Sequence, residues 1–151
     1  MSASSEHAAA AGAAERWDEV CNCAAVRQAA RHVTQLYDQH LMEAGLRTTQ
    51  YSMLVRLARH GPMTINQLAA QMVMDRTTLA RNLKPLERDG LLTVSIGRDR
   101  RSREVAITPE GVARAKAARR AWQAAQAGFE AAFGAERAKE LRRLMRAVTT
   151  V

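Results

Sequence analysis

The 151-residue sequence predicts a mainly α-helical chain with one small β-hairpin. Three observations carry that expectation. Residues 64–89 read as two capped helices separated by a very short turn. Directly after them, two runs of alternating apolar residues enclose an arginine-rich tip. Long segments of helical periodicity flank this centre on both sides.

From the N-terminus, residues 1–15 (MSASSEHAAAAGAAE) are alanine-rich without a basic start and read as a disordered tail. Residues 16–46 follow as one helix whose less polar side is Trp17, Val20, Cys21, Ala24, Ala25, Val33, Leu36, Tyr37 and Leu41. Thr48 or Thr49 is expected to cap a second helix, with Tyr51, Leu54, Val55 and Ala58 facing inward and Gly61-Pro62 ending it.

Thr64 is placed to N-cap the next helix, and Gln67 completes a capping-box pattern. Ile65, Leu68, Ala69 and Met72 supply its apolar side. After the turn Met72-Val73-Met74, Asp75 is a second N-cap, and Gly90 stops the helix that runs to about Asp89. At about 100° per residue, Leu79, Leu83 and Leu86 share one stripe while Thr77, Arg81, Lys84 and Arg88 fall opposite. A solvated face would show the same polarity. Its position after a capped helix and short turn points instead to a recognition helix, in which arginine reads guanine, threonine contacts thymine or phosphate, and lysine neutralises phosphate. Pro85 removes one helical amide, so a kink or loosened last turn is expected.

Leu92, Val94 and Ile96 alternate with Thr93 and Ser95 as a half-buried strand, and Val105 and Ile107 resume the pattern beyond a tip from Gly97 to Glu104. The tip holds Arg98, Arg100, Arg101 and Arg103, suited to a phosphate backbone or a minor groove. Asp99 reads as a brace holding an arginine by a charge-assisted bond. Residues 47–108 thus form a winged helix-turn-helix, with Thr64, Arg76, Thr77, Thr78, Arg81, Lys84, Arg88 and the four tip arginines as candidate DNA contacts.

In residues 109–151, Thr108 caps and Pro109 takes the first helical position. Val112, Ala115, Ala118, Trp122, Ala125, Phe129 and Ala132 recur in three- and four-residue steps, a near-heptad seam that Gly134 interrupts. Leu141, Leu144, Met145 and Val148 form one more stripe. Packing within the subunit would absorb these seams too, but helices outside the winged core at both ends favour dimerisation, which suits a pseudo-palindromic site. The chain is expected to be a single domain overall.

Composition agrees. Lys and Arg number 23 against 15 acidic residues, a net charge of +8, which favours an anionic partner such as double-stranded DNA. No apolar run reaches the ~20 residues of a membrane span, and a cytoplasmic, non-membrane protein is expected.

Asp75-Arg76-Thr77-Thr78-Leu79-Ala80-Arg81-Asn82-Leu83, Leu86-Glu87-Arg88-Asp89-Gly90-Leu91, the wing's Asp99-x-Arg101 and the closing Ile107-Thr108-Pro109-Glu110-Gly111 together resemble the MarR family of winged-helix transcription regulators, over roughly residues 20–150. The resemblance implies a homodimer with one winged helix per subunit, usually a repressor relieved by a small molecule or an oxidant. It also places an effector pocket where the dimer helices meet the winged domain. The residues in matching segments are His32, Tyr37, His40, Met42, Arg47 and Tyr51, with Arg47 as partner for a carboxylate.

Cys21 and Cys23 stay open between a buried small residue with an incidental thiol, an oxidant sensor, and a metal ligand. Two residues apart on a helix they point roughly 200° away from each other, which opposes a disulfide. His7, His32, His40 and His60 show no zinc-like spacing, and no cofactor is expected. No compact Cys/His/acid constellation supports an enzyme. The leading expectation is a sequence-specific repressor released by an aromatic or acidic organic ligand; the alternatives are an oxidant-sensing regulator and a non-specific architectural DNA binder.

Overall fold

Short polar side chains begin three of the helices. In the computed structural model, which describes residues 16, 17 and 19–151, Thr64, Asp75 and Thr108 each accept a hydrogen bond from a first-turn amide. The tail expected over residues 1–15 lies outside the described residues. The helices are α1 (Asn22–Leu41), α2 (Thr48–His60), α3 (Ile65–Met72), α4 (Arg76–Arg88), α5 (Pro109–Phe133) and α6 (Ala135–Val148). The strands are β1 (Met63–Thr64), β2 (Leu92–Ile96) and β3 (Arg103–Ile107).

The chain is mainly helical, as its periodicity predicts, but the sheet has three antiparallel strands in the order β1-β3-β2 rather than two. Met63 pairs with Val105 and Thr64 with Glu104. Two residues are too few to show an alternating pattern, so β1 exists only through its long-range partner. The hairpin tip is also shorter than expected, because Arg103 and Glu104 pair with Ile96 and Ser95 and so belong to β3.

Contacts divide the chain into two units, one ending at Leu36 and the other running from Tyr37 to Val151. In the second, one apolar cluster gathers Leu41, Leu46, Met53, Leu54, Leu57, Leu68, Leu79, Leu83, Leu86, Leu91, Leu92 and Val105. Ala115 and Ala118 of α5 belong to the same cluster, so the first half of the expected intersubunit seam is used within the subunit. Val112 and Ala132 of that seam are exposed.

Helix α2 differs from expectation in cap and face. Neither Thr48 nor Thr49 caps it: the Arg47 amide donates to Gln50 Oε1 (2.9 Å) and the Thr48 amide to Asp38 Oδ1 (2.6 Å). A carboxylate ten residues upstream does this work, beyond the reach of a local pattern. The buried residues are Met53, Leu54 and Leu57, while Val55 and Ala58 are exposed. The N-terminal helix is likewise not a single regular run, since residues 16, 17, 19 and 20 are helical but Cys21 is not. Helix α4 continues through Pro85 to Arg88.

One close approach holds α5 against the end of α4. The Thr108 amide donates to the Leu91 carbonyl (3.1 Å), its hydroxyl to the Gly90 carbonyl (2.6 Å), and the Gly111 amide back to the Thr108 hydroxyl (3.0 Å). A β-carbon at Gly111 would overlap the Leu91 carbonyl oxygen and sit 2.8 Å from Ile107 Cγ1. Backbone strain lies elsewhere, at Val73, whose φ of 53° puts a β-branched residue in the left-handed region at the turn between α3 and α4. Gly111→Ala is therefore expected to lower stability by about 2 kcal/mol, an overpacking cost. Val73→Gly should raise it by about 0.5 kcal/mol, relief of strain outweighing backbone entropy. Urea unfolding checks both, and a Gly111→Ala protein as stable as the parent would show that the junction yields easily.

Candidate nucleic-acid interface

Helix α4, which carries the candidate DNA contacts, takes its position from its first turn. One Asp75 carboxylate oxygen accepts from the Thr78 amide (2.8 Å) and the other from the Thr78 hydroxyl (2.7 Å). These bonds, the hydroxyl's first, hold the Asp75 carboxyl below its ordinary value, so the cap stays ionised at neutral pH. Thr78, a candidate DNA contact, thus commits its hydroxyl proton to the cap, and Asn82 Nδ2 donates to its carbonyl (2.8 Å). Leu79, Leu83 and Leu86 are buried and fix the rotation of the helix about its axis. Arg76, Thr77, Arg81, Lys84 and Arg88 remain exposed. Arg88 Nε faces Asp89 Oδ1 at 3.2 Å, leaving Arg76, Arg81 and Lys84 as the cations of α4 without an ion pair among the described residues.

A shallow groove runs along this face, lined by Ile65, Arg76, Thr77, Ala80, Arg81 and Lys84. Ile65 and Ala80 were not anticipated as part of it. Their apolar side chains carry no signal of their own: Ala80 lies on α4 between Thr77 and Arg81, and Ile65 comes from the start of α3.

The wing is built by hydrogen bonds at its tip. The Gly97 amide donates to the Ser102 carbonyl (3.0 Å), and the Ser102 amide to the Asp99 carbonyl (2.8 Å). Asp99 does brace an arginine, but through the backbone. Its Oδ1 accepts from the Arg101 amide (3.0 Å), and among the described residues it makes no ion pair with a guanidinium. An aspartate reaches an amide two residues on without stretching, which is why this local turn wins over an ion pair. Arg98, Arg100 and Arg101 are exposed at the tip and Arg103 on β3. Thr64 is half-buried, its hydroxyl accepting from the Gln67 amide (3.1 Å) while Gln67 Oε1 accepts from the Thr64 amide (2.9 Å). It therefore reaches the interface as the cap of α3.

The residues considered for an effector pocket are placed as follows. The Tyr37 hydroxyl donates to Gln126 Oε1 (2.5 Å), and burial, then the Glu130 charge, raises its pKa. The Tyr51 ring stacks on Trp122 at 6.5 Å and 26°, with its pKa raised by burial. Both tyrosines thus meet α5, whose Trp122 and Gln126 the sequence did not single out for this region. Arg47 faces Asp38 at 3.8 Å, and Met42 is exposed in the turn after α1. His40 is half-buried in the last turn of α1, and His32 is exposed further up that helix. The Thr48 hydroxyl is buried without a hydrogen-bond partner at the start of α2.

Cys21 sits just ahead of α1, and its sulfur accepts from the Ala24 amide (3.4 Å) as a cap residue would. Cys21 and Cys23 both border a single surface hollow, together with Trp17, Arg27 and Arg31. No group of three or more His, Cys, Asp or Glu among the described residues is placed to hold a metal ion. Among those residues no helix is long and apolar enough to cross a membrane.

Comparison with known proteins agrees with this geometry. Residues 46–102 match the model of the MarR family. The chain is 35% identical to the transcriptional regulator MosR of M. tuberculosis, solved in complex with DNA, covering 86% of this chain and 97% of that one at a TM-score of 0.74. The chain belongs to the MarR family. The winged helix-turn-helix read from its sequence is the fold of this family, and the proteins it resembles are transcriptional regulators rather than enzymes. It is also 31% identical over 85 residues to the uncharacterised helix-turn-helix regulator YwoH of Bacillus subtilis, a match spanning 56% of this chain and 62% of that relative. The PcaV regulator of Streptomyces coelicolor, solved with its natural ligand, shares the fold at a TM-score of 0.77 with 20% identity, covering 89% of this chain and 95% of that one.

Proposed function

We propose that the protein is a cytoplasmic, homodimeric repressor that binds a pseudo-palindromic operator in double-stranded DNA, with α4 in the major groove and the wing on the flanking backbone. The observation that carries this reading is the exposed face of Thr77, Arg81 and Lys84, held by a buried leucine stripe on one side and the Asp75 cap at its start. A non-specific architectural binder would need the positive charge but not an ordered face. Arg81→Ala is expected to weaken operator binding by about 1–3 kcal/mol more than random-duplex binding, the discrimination carried by one bidentate base contact. Equal losses on both duplexes at fixed salt would assign Arg81 to phosphate.

Dimerisation is supported by what the single chain leaves uncovered. Leu144, Met145 and Val148 of α6 are 44%, 38% and 48% exposed along one stripe. A second copy covering this stripe is the expected use of an amphipathic terminal helix. The double variant Leu144→Arg/Val148→Arg should sediment as a monomer with its helical content kept. An unchanged dimer would place the interface elsewhere.

A small aromatic or acidic molecule is the proposed input, supported by the two half-buried tyrosines against α5 and by the partnerless Thr48 hydroxyl near Arg47. A second reading, release by an oxidant, is favoured by one observation: despite their two-residue spacing, Cys21 and Cys23 border the same hollow beside Arg27 and Arg31. A Cys21→Ser/Cys23→Ser protein distinguishes the inputs. Under the first reading aromatic acids or their thioesters release operator from parent and variant alike. Under the second, peroxide releases only the parent and no organic acid acts on either.

A further inference from the structure

A hollow of about 190 Å³ opens between the start of α3, the start of α4 and the wing. Thr64 and Asn66 border it from α3, Arg76 from α4, and Asp99, Arg101 and Arg103 from the wing. Three elements distant in sequence therefore each bring a guanidinium or a polar group to one opening. Among the described residues none of the three arginine side chains makes an ion pair or a hydrogen bond, whereas Asp99, the one carboxylate in the lining, spends an oxygen on the Arg101 amide. Three positive charges against one negative form a concave site for a multiply oxygenated anion, and guanidiniums bind phosphate with paired N–H bonds.

We infer that this hollow seats one DNA backbone phosphate, shared by Arg76 and Arg101, and that this single phosphate locks the wing to the recognition helix. The inference rests on the DNA-binding reading above and adds to it which contacts act as one. Separate phosphate contacts give independent, additive losses, whereas two arginines on the same phosphate do not. The Asp99 carboxylate then has two opposed effects. It shapes the tip through the Arg101 amide, and its charge opposes the bound phosphate. Asp99→Asn keeps an oxygen able to accept from that amide and removes the charge.

The test measures the salt dependence of duplex binding for the parent, Arg76→Gln, Arg101→Gln and the double variant. Each lost phosphate contact shallows the logarithmic slope by about 0.9. A shared phosphate predicts that the double variant loses about 0.9 in all, one phosphate's worth however the single losses fall, and that Asp99→Asn binds more tightly than the parent. Arg76→Lys should keep most of the slope, because a point charge still neutralises phosphate. A double loss near 1.8 would assign the two arginines to different phosphates and overturn the inference while leaving DNA binding intact. Weaker binding by Asp99→Asn would also overturn it. Inorganic phosphate, added at matched ionic strength without DNA, distinguishes the source. If it raises the melting temperature of the parent but not of the double variant, and the duplex slopes are equal, the hollow serves free phosphate and the DNA assignment fails. A parent that binds no duplex at all would defeat the underlying functional reading instead.

Discussion

The meeting of Gly90-Leu91 with Thr108-Gly111 is the constraint on which the placement of α4 and the wing depends. Two hydrogen bonds from Thr108, its cap of the first turn of α5, and the absence of a side chain at Gly111 bring that turn onto the carbonyls that follow α4. Because β2 leaves this junction and β3 returns to it, the wing is anchored at both ends within a few residues of the end of α4. The apolar cluster then needs only small residues at Ala115 and Ala118 to bring α5 down on it. The orientation of α4 and the base of the wing are set by the same few backbone contacts.

Two sets of surface cations differ in their ion pairing. Arg47, Arg88, Arg142 and Arg143 each face a carboxylate within 4 Å, and these exposed pairs add little stability. On α4 and the wing, Arg76, Arg81, Lys84, Arg98, Arg100, Arg101 and Arg103 have no such partner among the described residues. Charge left uncompensated over α4 and the wing, on a chain of net charge +8, suits a polyanion and costs little while solvated. Holding an exposed α4 cap ionised through the Asp75–Thr78 bonds keeps the start of that helix formed without spending any of these cations.

Much of this was legible in the sequence where the responsible interactions are local. The caps at Thr64, Asp75 and Thr108 each act within three residues, and the leucines of α4 repeat at the helical period. Features made by distant partners were not legible. Strand β1 is defined by Val105 and Glu104, the start of α2 by Asp38, and the environment of Tyr37 and Tyr51 by Gln126 and Trp122. Leu54 of α2 faces inward as expected, but Val55 and Ala58 do not, because all of these side chains are apolar and only packing decides that Met53 and Leu57 accompany Leu54. Asp99 shows a third case, with the right residue named as a brace but the wrong partner chosen, since a backbone amide carries no mark in the sequence.

Thr64 belongs to two elements at once: its backbone pairs with Glu104 in the sheet, and its hydroxyl closes the first turn of α3. A wing that swings outward must pull on this residue before any other, so the hairpin is a lever whose pivot is also a helix terminus. Displacement of the arm and fraying of the helix-turn-helix then become one mechanical event. Rigidity in a part of the molecule that looks like a free appendage is thereby inherited from the helix it touches.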